Sequence, residues 1–411
     1  MKFNIVLLSY LIIFFAYFAF ELLLLVLQKK NLNKDINLEK GFANYFSSEF
    51  LEKSKAYSLE KLKLGIFNHF YSNIILLGLI LSGFFGLIYR LISENLTGQY
   101  LNGIFYIYLI MLFFSAIAIP TEYFSTFVIE EKFGFNKSTR KLFFIDKVKA
   151  TILSFIILFP LLLSLFFFIY KTGSMWWLYA FCFLMIFQLL ILYVYPVFIA
   201  PLFNKFEPIK ESELKKEIFN LSKKLAFPLK EVFVMDGSKR SSHGNAYFTG
   251  FGKNQRIVLF DTIVNSMTTK ELLAVLAHEI GHKKLNHIKR LLIFQSVFLF
   301  FIFYILGQLY NYQEFFIAFG FSEKSPAAAI IIFSIIFSPV TYFFSPIFNY
   351  FSRKHEFEAD NFANQAMTES ESLKTALLKL HKDNLSNLFP HPIYSFFHYS
   401  HPPLMERLKA F

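Results

Sequence analysis

Residues 268–310 read TTKELLAVLAHEIGHKKLNHIKRLLIFQSVFLFFIFYILGQLY. The first half is a polar helix with its own start signal. The second half, 291–310, is an apolar run long enough to cross a hydrocarbon core of about 30 Å at about 1.5 Å per residue. The chain thus passes from an aqueous fold into lipid with almost no linker. Thr268-Thr269-Lys270-Glu271 is a Ser/Thr-x-x-Glu capping box that starts the helix, which continues through Leu272, Leu273, Val275, Leu276 and Ile280. On it lies His278-Glu279-Ile280-Gly281-His282, a match to H-E-x-x-H.

Residues i and i+4 share a helical face about one turn apart, so both imidazoles can reach a single divalent ion with Glu279 beside them. A catalytic zinc needs a third protein ligand and an open position. The longer metzincin-type pattern would carry Gly and His where this chain has Leu285 and Ile288, so the third ligand comes from elsewhere. The natural candidate is Glu356, in His355-Glu356-Phe357-Glu358-Ala359-Asp360-Asn361-Phe362-Ala363. Glu356 and Asp360 share a face, which suits one as ligand and the other as the carboxylate that orients an imidazole. Glu358 points about 200° away, and His355 is a weaker competitor because it lies one residue off that face.

Composition agrees with the lipid reading. Of 411 residues, 55% are hydrophobic and 17% charged, mean hydropathy is +0.46, and there are 59 Phe and 22 Tyr. So much apolar surface excludes an ordinary soluble enzyme. Seven apolar runs, at 5–27, 73–91, 101–119, 150–170, 176–199, 291–310 and 327–350, are expected to span the membrane. The first has no small-residue cleavage site and reads as a retained anchor.

The net charge of +12 comes from basic blocks between these runs, which set topology and do not call for a nucleic-acid partner. Segments 28–69 (Lys40 among its lysines) and 120–149 are basic, whereas 92–100, 171–175 and 311–326 hold only Lys171 and Lys324. That asymmetry predicts an external N-terminus and a cytoplasmic C-terminus, although Lys2 pulls the other way. The lone Cys182 excludes an intramolecular disulfide and a Cys-based metal cluster.

The expected organisation is helices one to five with cytoplasmic loops in 1–200, the first part of a polar domain in 201–290, helices six and seven in 291–351, and the second part in 352–411. Neither polar part has much core alone. Within the first, the pattern predicts a helix over 211–227 and strands at 231–235, 245–249 and 256–260. Glu21, in the first span near its cytoplasmic end, is given no catalytic part. Glu130, Glu131 and Asn136 are expected to brace the polar domain.

The motifs now in view resemble the type I CAAX prenyl endopeptidases, integral-membrane zinc proteases of the eukaryotic endoplasmic reticulum with bacterial relatives. The resemblance rests on HEIGH at 278–282 and EFEAD at 356–360, with SHGNAYFTG at 242–250 ahead of the zinc helix. FVIEEKFGFN at 127–136, PLFNKF at 201–206 and YSHPPLMERL at 399–408 extend it along nearly the whole chain. It implies a mainly α membrane protein whose seven transmembrane helices surround an interior chamber, with a cytoplasmic α+β, gluzincin-type zinc protease domain. By motif, His278, His282 and Glu356 would bind one zinc per chain and Glu279 would be the general base. A peptide would add as a strand at Asn245, Ala246 and Tyr247, and His401 and Arg407 would sit near the scissile bond, with Asp360 in support.

Chemistry agrees with these roles. Zinc supplies an acidified water and a polarised carbonyl, Glu279 can take and return the proton, and His401 or Arg407 can donate to an oxyanion. Main-chain bonds to Asn245, Ala246 and Tyr247 would grip a peptide of any sequence. The implied partners are a peptide or membrane-protein substrate and the lipid bilayer. High Lys, Phe and Ile content suggests a bacterial inner membrane, or the endoplasmic reticulum if the source is eukaryotic, with the site towards the cytoplasm. The competing readings are a site-2-type intramembrane protease, which the lysines beside HEIGH disfavour, a transporter or channel using the His/Glu cluster as a cation site, and an inactive zinc scaffold, which Glu279 argues against.

Overall fold

The computed structural model describes residues 2–34, 45–250, 255–367 and 371–411; Lys40 of the first basic connection lies outside them. The helices are α1 Ile5–Leu32, α2 Ser48–Leu81, α3 Phe84–Asn95, α4 Gln99–Phe124, α5 Arg140–Lys171, α6 Trp176–Val194, α7 Glu213–Lys224, α8 Asp261–Ser266, α9 Thr269–Lys284, α10 His287–Leu309, α11 Gln313–Ala318, α12 Pro326–Ala366, α13 Glu371–Asp383, α14 Pro392–His398 and α15 Leu404–Lys409. Among the described residues seven helical segments are long and apolar enough to cross a membrane: α1, α2, α4 with its π-helical extension to Glu130, α5, α6 with its flanking turns, α10 and α12. They pack in a closed circuit, α1 on α2, α2 on the extension of α4, α4 on α5, α5 on α6, α6 on α10, α10 on α12, and α12 back on α1. Outward-facing residues such as Ile74, Ile186 and Ile293, each over 60% exposed, form the lipid-facing coat.

The second crossing differs from the sequence expectation. The run 73–91 is divided at Ser82-Gly83, so α2 carries the span and 84–95 fold back as α3. Gly83 has φ +69°, a left-handed conformation that glycine adopts without steric cost. The turn is fixed by a close backbone approach, since a β-carbon on Gly86 would be driven into the carbonyl of Gly320. Hydropathy counts apolar residues and cannot see such a break.

The polar domain has a four-stranded sheet, β1 Phe206–Pro208, β2 Leu229–Met235, β3 Ala246–Thr249 and β4 Gln255–Phe260, in the order β1-β2-β4-β3. β2 and β4 are parallel, and the other pairs antiparallel. The three expected strands are present, and β1, three residues ending in a proline, has too little pattern to read. One apolar core joins both parts of the domain: Val232 and Leu259 from the sheet and Leu272 and Leu276 of α9 meet Ala363 of α12, Leu377 of α13 and Leu404 of α15. α9 starts on the expected capping box, with both reciprocal bonds formed.

The domain is tied to the helices by a polar cluster. Glu130 accepts from Tyr57 Oη at 2.7 Å and from Lys61 Nζ at 3.1 Å, and lies 3.4 Å from His243 Nε2. His243 also bonds Asn384 at 2.7 Å and stacks on Phe135, while Asn136 donates to Glu131 and pairs by backbone with Ser241. The expected bracing role of Glu130, Glu131 and Asn136 is what these contacts perform.

Gly86→Ala is expected to lower the stability of the detergent-solubilised protein by about 1–3 kcal/mol, because backbone must move to admit the methyl group; thermal melting checks this. The bond to Glu130 holds the His243 imidazole above its ordinary 6.5. A raised folded value means the contribution is fully present below about pH 6.5 and is lost as pH rises through that value. The gap in melting temperature between wild type and His243→Ala should therefore be wider at about pH 6 than at about pH 9.

Candidate active site

α9 and the C-terminal end of α12 cross closely. At Gly281, between the two histidines, an added β-carbon would lie 3.1 Å from the Phe362 ring, so the small residue lets the helices approach. Across this contact the Nε2 atoms of His278 and His282 lie 3.1 Å apart. Glu356 Oε2 is 3.4 Å from His278 Nε2, and Glu356 Oε1 is 3.2 Å from His282 Nε2. Two ligand atoms on one tetrahedral zinc, each at about 2.0–2.2 Å from it, stand roughly 3.3–3.6 Å apart. The three side chains therefore fit such an ion, and two imidazole nitrogens facing each other this closely call for a proton or a cation between them. His355 is outside this trio and stacks on His287.

Asp360, one turn along α12 from Glu356, lies 2.8 Å from His278 Nδ1. A carboxylate at that distance favours a proton on Nδ1, which would leave the Nε2 lone pair facing the trio. Arg407 of α15 grips Asp360 with both ends, Nε to Oδ2 at 2.8 Å and Nη2 to Oδ1 at 2.5 Å, and its Nη1 lies 3.6 Å from Glu356. Both partners are nearly fully buried. Burial alone would lower the His278 imidazole, yet the bonds to Asp360 and Glu356 outweigh it and raise it to about 9. Burial pushes the Glu279 carboxyl above its ordinary 4.5.

Glu279, His278, His282, Glu356, His401 and Arg407 line one cavity of about 290 Å³. His401 is largely exposed at its mouth, with Nε2 3.4 Å from Glu356 Oε1 and Nδ1 on Ser400 Oγ at 2.9 Å. The segment that carries it is tied down by α12. Arg353 donates to the carbonyls of Ser395, Phe396 and Tyr399, and Asn349 donates to that of Phe397 at 2.6 Å. Glu21 joins this anchorage from α1, accepting from Tyr342 Oη at 2.6 Å and lying 3.1 Å from His398 Nε2. An ionisable residue inside a span thus holds the strand of chain that ends in His401. This anchoring is a structural part for Glu21 and not a catalytic one; Arg353 and Asn349, which share it, had no signal in the sequence beyond polarity near the end of an apolar run.

β3 is an edge strand: it pairs with β4 on one side, and among the described residues no strand pairs with the other. Asn245 and Ala246 line the cavity with Glu279, whereas the Tyr247 side chain is not among its walls and packs near Phe260. Asn245 Oδ1 accepts from the Ala246 amide at 2.8 Å, and its carbonyl accepts from Phe260 N. A second, larger cavity of about 630 Å³ runs from His401 between α1 and α2.

A crevice with these ligands, a buried carboxylate and an open sheet edge is what a membrane-embedded metallopeptidase requires. Residues 28–205 match the family model described as CAAX prenyl protease N-terminal, five membrane helices, and residues 208–411 match peptidase family M48. The chain is 37% identical to CAAX prenyl protease 1 of Saccharomyces cerevisiae, over 96% of this chain and 92% of that one. It is 37% identical to the Arabidopsis thaliana homologue over 91% and 90%, and 36% identical to the human homologue over 88% and 86%. The crystal structure of S. mikatae Ste24p superposes with a TM-score of 0.94 at 36% identity, covering 100% of this chain and 99% of that one. The chain belongs to the type I CAAX prenyl protease family and is an integral-membrane, multi-pass zinc metalloendopeptidase. The transporter reading of the His/Glu cluster finds no support in these likenesses.

Arg407→Met is expected to destabilise the metal-free protein by about 3–5 kcal/mol, because it leaves the Asp360 carboxylate buried without its cation. Thermal melting in detergent after chelation measures it, and Arg407→Lys should recover only part of the loss, since an ammonium cannot make the two-pronged contact.

Proposed function

We propose that His278, His282 and Glu356 hold one zinc ion per chain and that Glu279 is the general base of peptide hydrolysis. The observation that carries this is the set of 3.1–3.4 Å separations among the three ligating side chains in a cavity that Glu279 also lines. Zinc, when bound, supplies an acidified water and polarises the scissile carbonyl. Glu279 accepts the water proton and delivers it to the leaving nitrogen. Asp360 holds His278 in its ligating tautomer, and Arg407 holds Asp360. His401, at the mouth, donates to the oxygen that gains charge. The peptide lies along β3, bonded to the backbone of Asn245, Ala246 and Tyr247, so the main chain grips any sequence and pockets select side chains.

The substrate we assign is a membrane-associated peptide carrying a C-terminal CAAX-type motif, cleaved on the cytoplasmic side. The printed names of the yeast, plant and human relatives support the substrate class, and the basic segments 28–69 and 120–149 support the orientation. Those relatives are eukaryotic, which favours the endoplasmic reticulum over the bacterial inner membrane that composition suggested.

Glu279→Gln is the deciding variant. It should retain zinc while cleavage falls by on the order of 10²–10⁴-fold or more. Chelation of the wild type should abolish cleavage, and added zinc should restore it. Undiminished turnover in Glu279→Gln would remove Glu279 from the reaction.

A further inference from the structure

His282 has a partner that none of the roles above uses. The chain turns sharply after α9 at Asn286, whose φ is +58°, and the first residue of α10, His287, comes back against the zinc helix. His287 is 3% exposed. Its Nδ1 lies 3.0 Å from His282 Nδ1, and its Nε2 lies 2.9 Å from Glu358 Oε2. His355 covers the other face of the ring, stacked at 4.1 Å with 8° between planes. Arg290 Nη1, 3.3 Å from Glu358 Oε2, pairs with that carboxylate from the solvent side.

The protons in this chain have one consistent arrangement. If His282 offers its Nε2 lone pair to an ion, its own proton is on Nδ1, and that N–H must donate. The ring atom 3.0 Å from it is His287 Nδ1, which must then be the acceptor. The His287 proton is thereby placed on Nε2, where Glu358 Oε2 accepts it. Each donor meets an acceptor, and reversing either imidazole would leave two protons or two lone pairs face to face.

We propose that His287, backed by Glu358, is a positioning residue that fixes the tautomer and orientation of His282, as Asp360 does for His278. The inference rests on reading His278, His282 and Glu356 as the zinc ligands. Each imidazole of the H-E-x-x-H pair then has its own carboxylate-terminated support, one direct and one relayed through a second imidazole. His287, His355 and Glu358 bring donor atoms within 4.8 Å and could be taken for a second metal site. The stacking argues otherwise: lone pairs of imidazoles lie in the ring planes, and near-parallel planes side by side do not aim them at a common point. Both nitrogens of His287 are also already engaged.

The test uses the full chain in detergent, with zinc content from elemental analysis and zinc affinity from competition with a chelator. Wild type should bind one zinc. His287→Ala should weaken zinc affinity by about 10–100-fold, measured on the fraction that remains folded without metal. His287→Gln should recover most of the affinity, since its amide oxygen can accept from His282 and its NH₂ can donate to Glu358. Glu358→Ala, at a partly exposed position where truncation leaves the fold intact, should weaken zinc several-fold and carries the test should His287→Ala not fold. Unchanged zinc affinity in both His287→Ala and Glu358→Ala overturns the relay and leaves the zinc site standing. Two zinc ions in wild type and one in His287→Ala overturn it in favour of a second metal site. A wild type that binds no zinc overturns the site reading itself, and the relay with it.

Discussion

The crossing of α9 and α12 is the constraint on which the rest depends. A zinc-binding pair on one helix needs a third ligand from another, and that ligand must arrive within about 3.5 Å of both imidazoles. Gly281 permits the approach, Phe362 packs into the space, and Glu356 then falls opposite the two histidines. The cost of burying Glu356 and Asp360 is offset locally, because Arg407 touches both and His278 touches both. The polar core of the site is therefore a closed set of charges supplied by three helices, α9, α12 and α15.

The membrane enters this arrangement directly. α12 is a single helix of 41 residues that begins among the apolar elements and ends in the polar domain, so the same rod that spans lipid presents Glu356 and Asp360. Along it, Asn349 and Arg353 hold the segment preceding His401, and Glu21 of α1 reaches the same segment through His398. Glu356 and the group at the mouth of the site are thus indexed to one helix. A tilt of α12 would carry both together.

Much of the site was legible because its signals are local. The capping box and H-E-x-x-H lie within fifteen residues, and Glu356 with Asp360 repeats at the helical period. What escaped was non-local or irregular. The Arg407–Asp360 pair joins residues 47 apart and the His287–Glu358 pair joins residues 71 apart, and neither spacing has a pattern. Asn245, Ala246 and Tyr247 were grouped as one edge by their main chain, and which of their side chains wall the cavity, Asn245 and Ala246 but not Tyr247, is set by the packing around the edge and has no period to read. Gly83 broke a span that hydropathy read as continuous, and β1 was too short to leave a period.

X-ray absorption at the zinc edge, on the purified full chain, tests the central claim most directly. The account predicts a first shell of two imidazole nitrogens and carboxylate or water oxygens at about 2.0–2.2 Å, with zinc affinity collapsing in Glu356→Ala. Zinc retained with an unaltered first shell in that variant would contradict it.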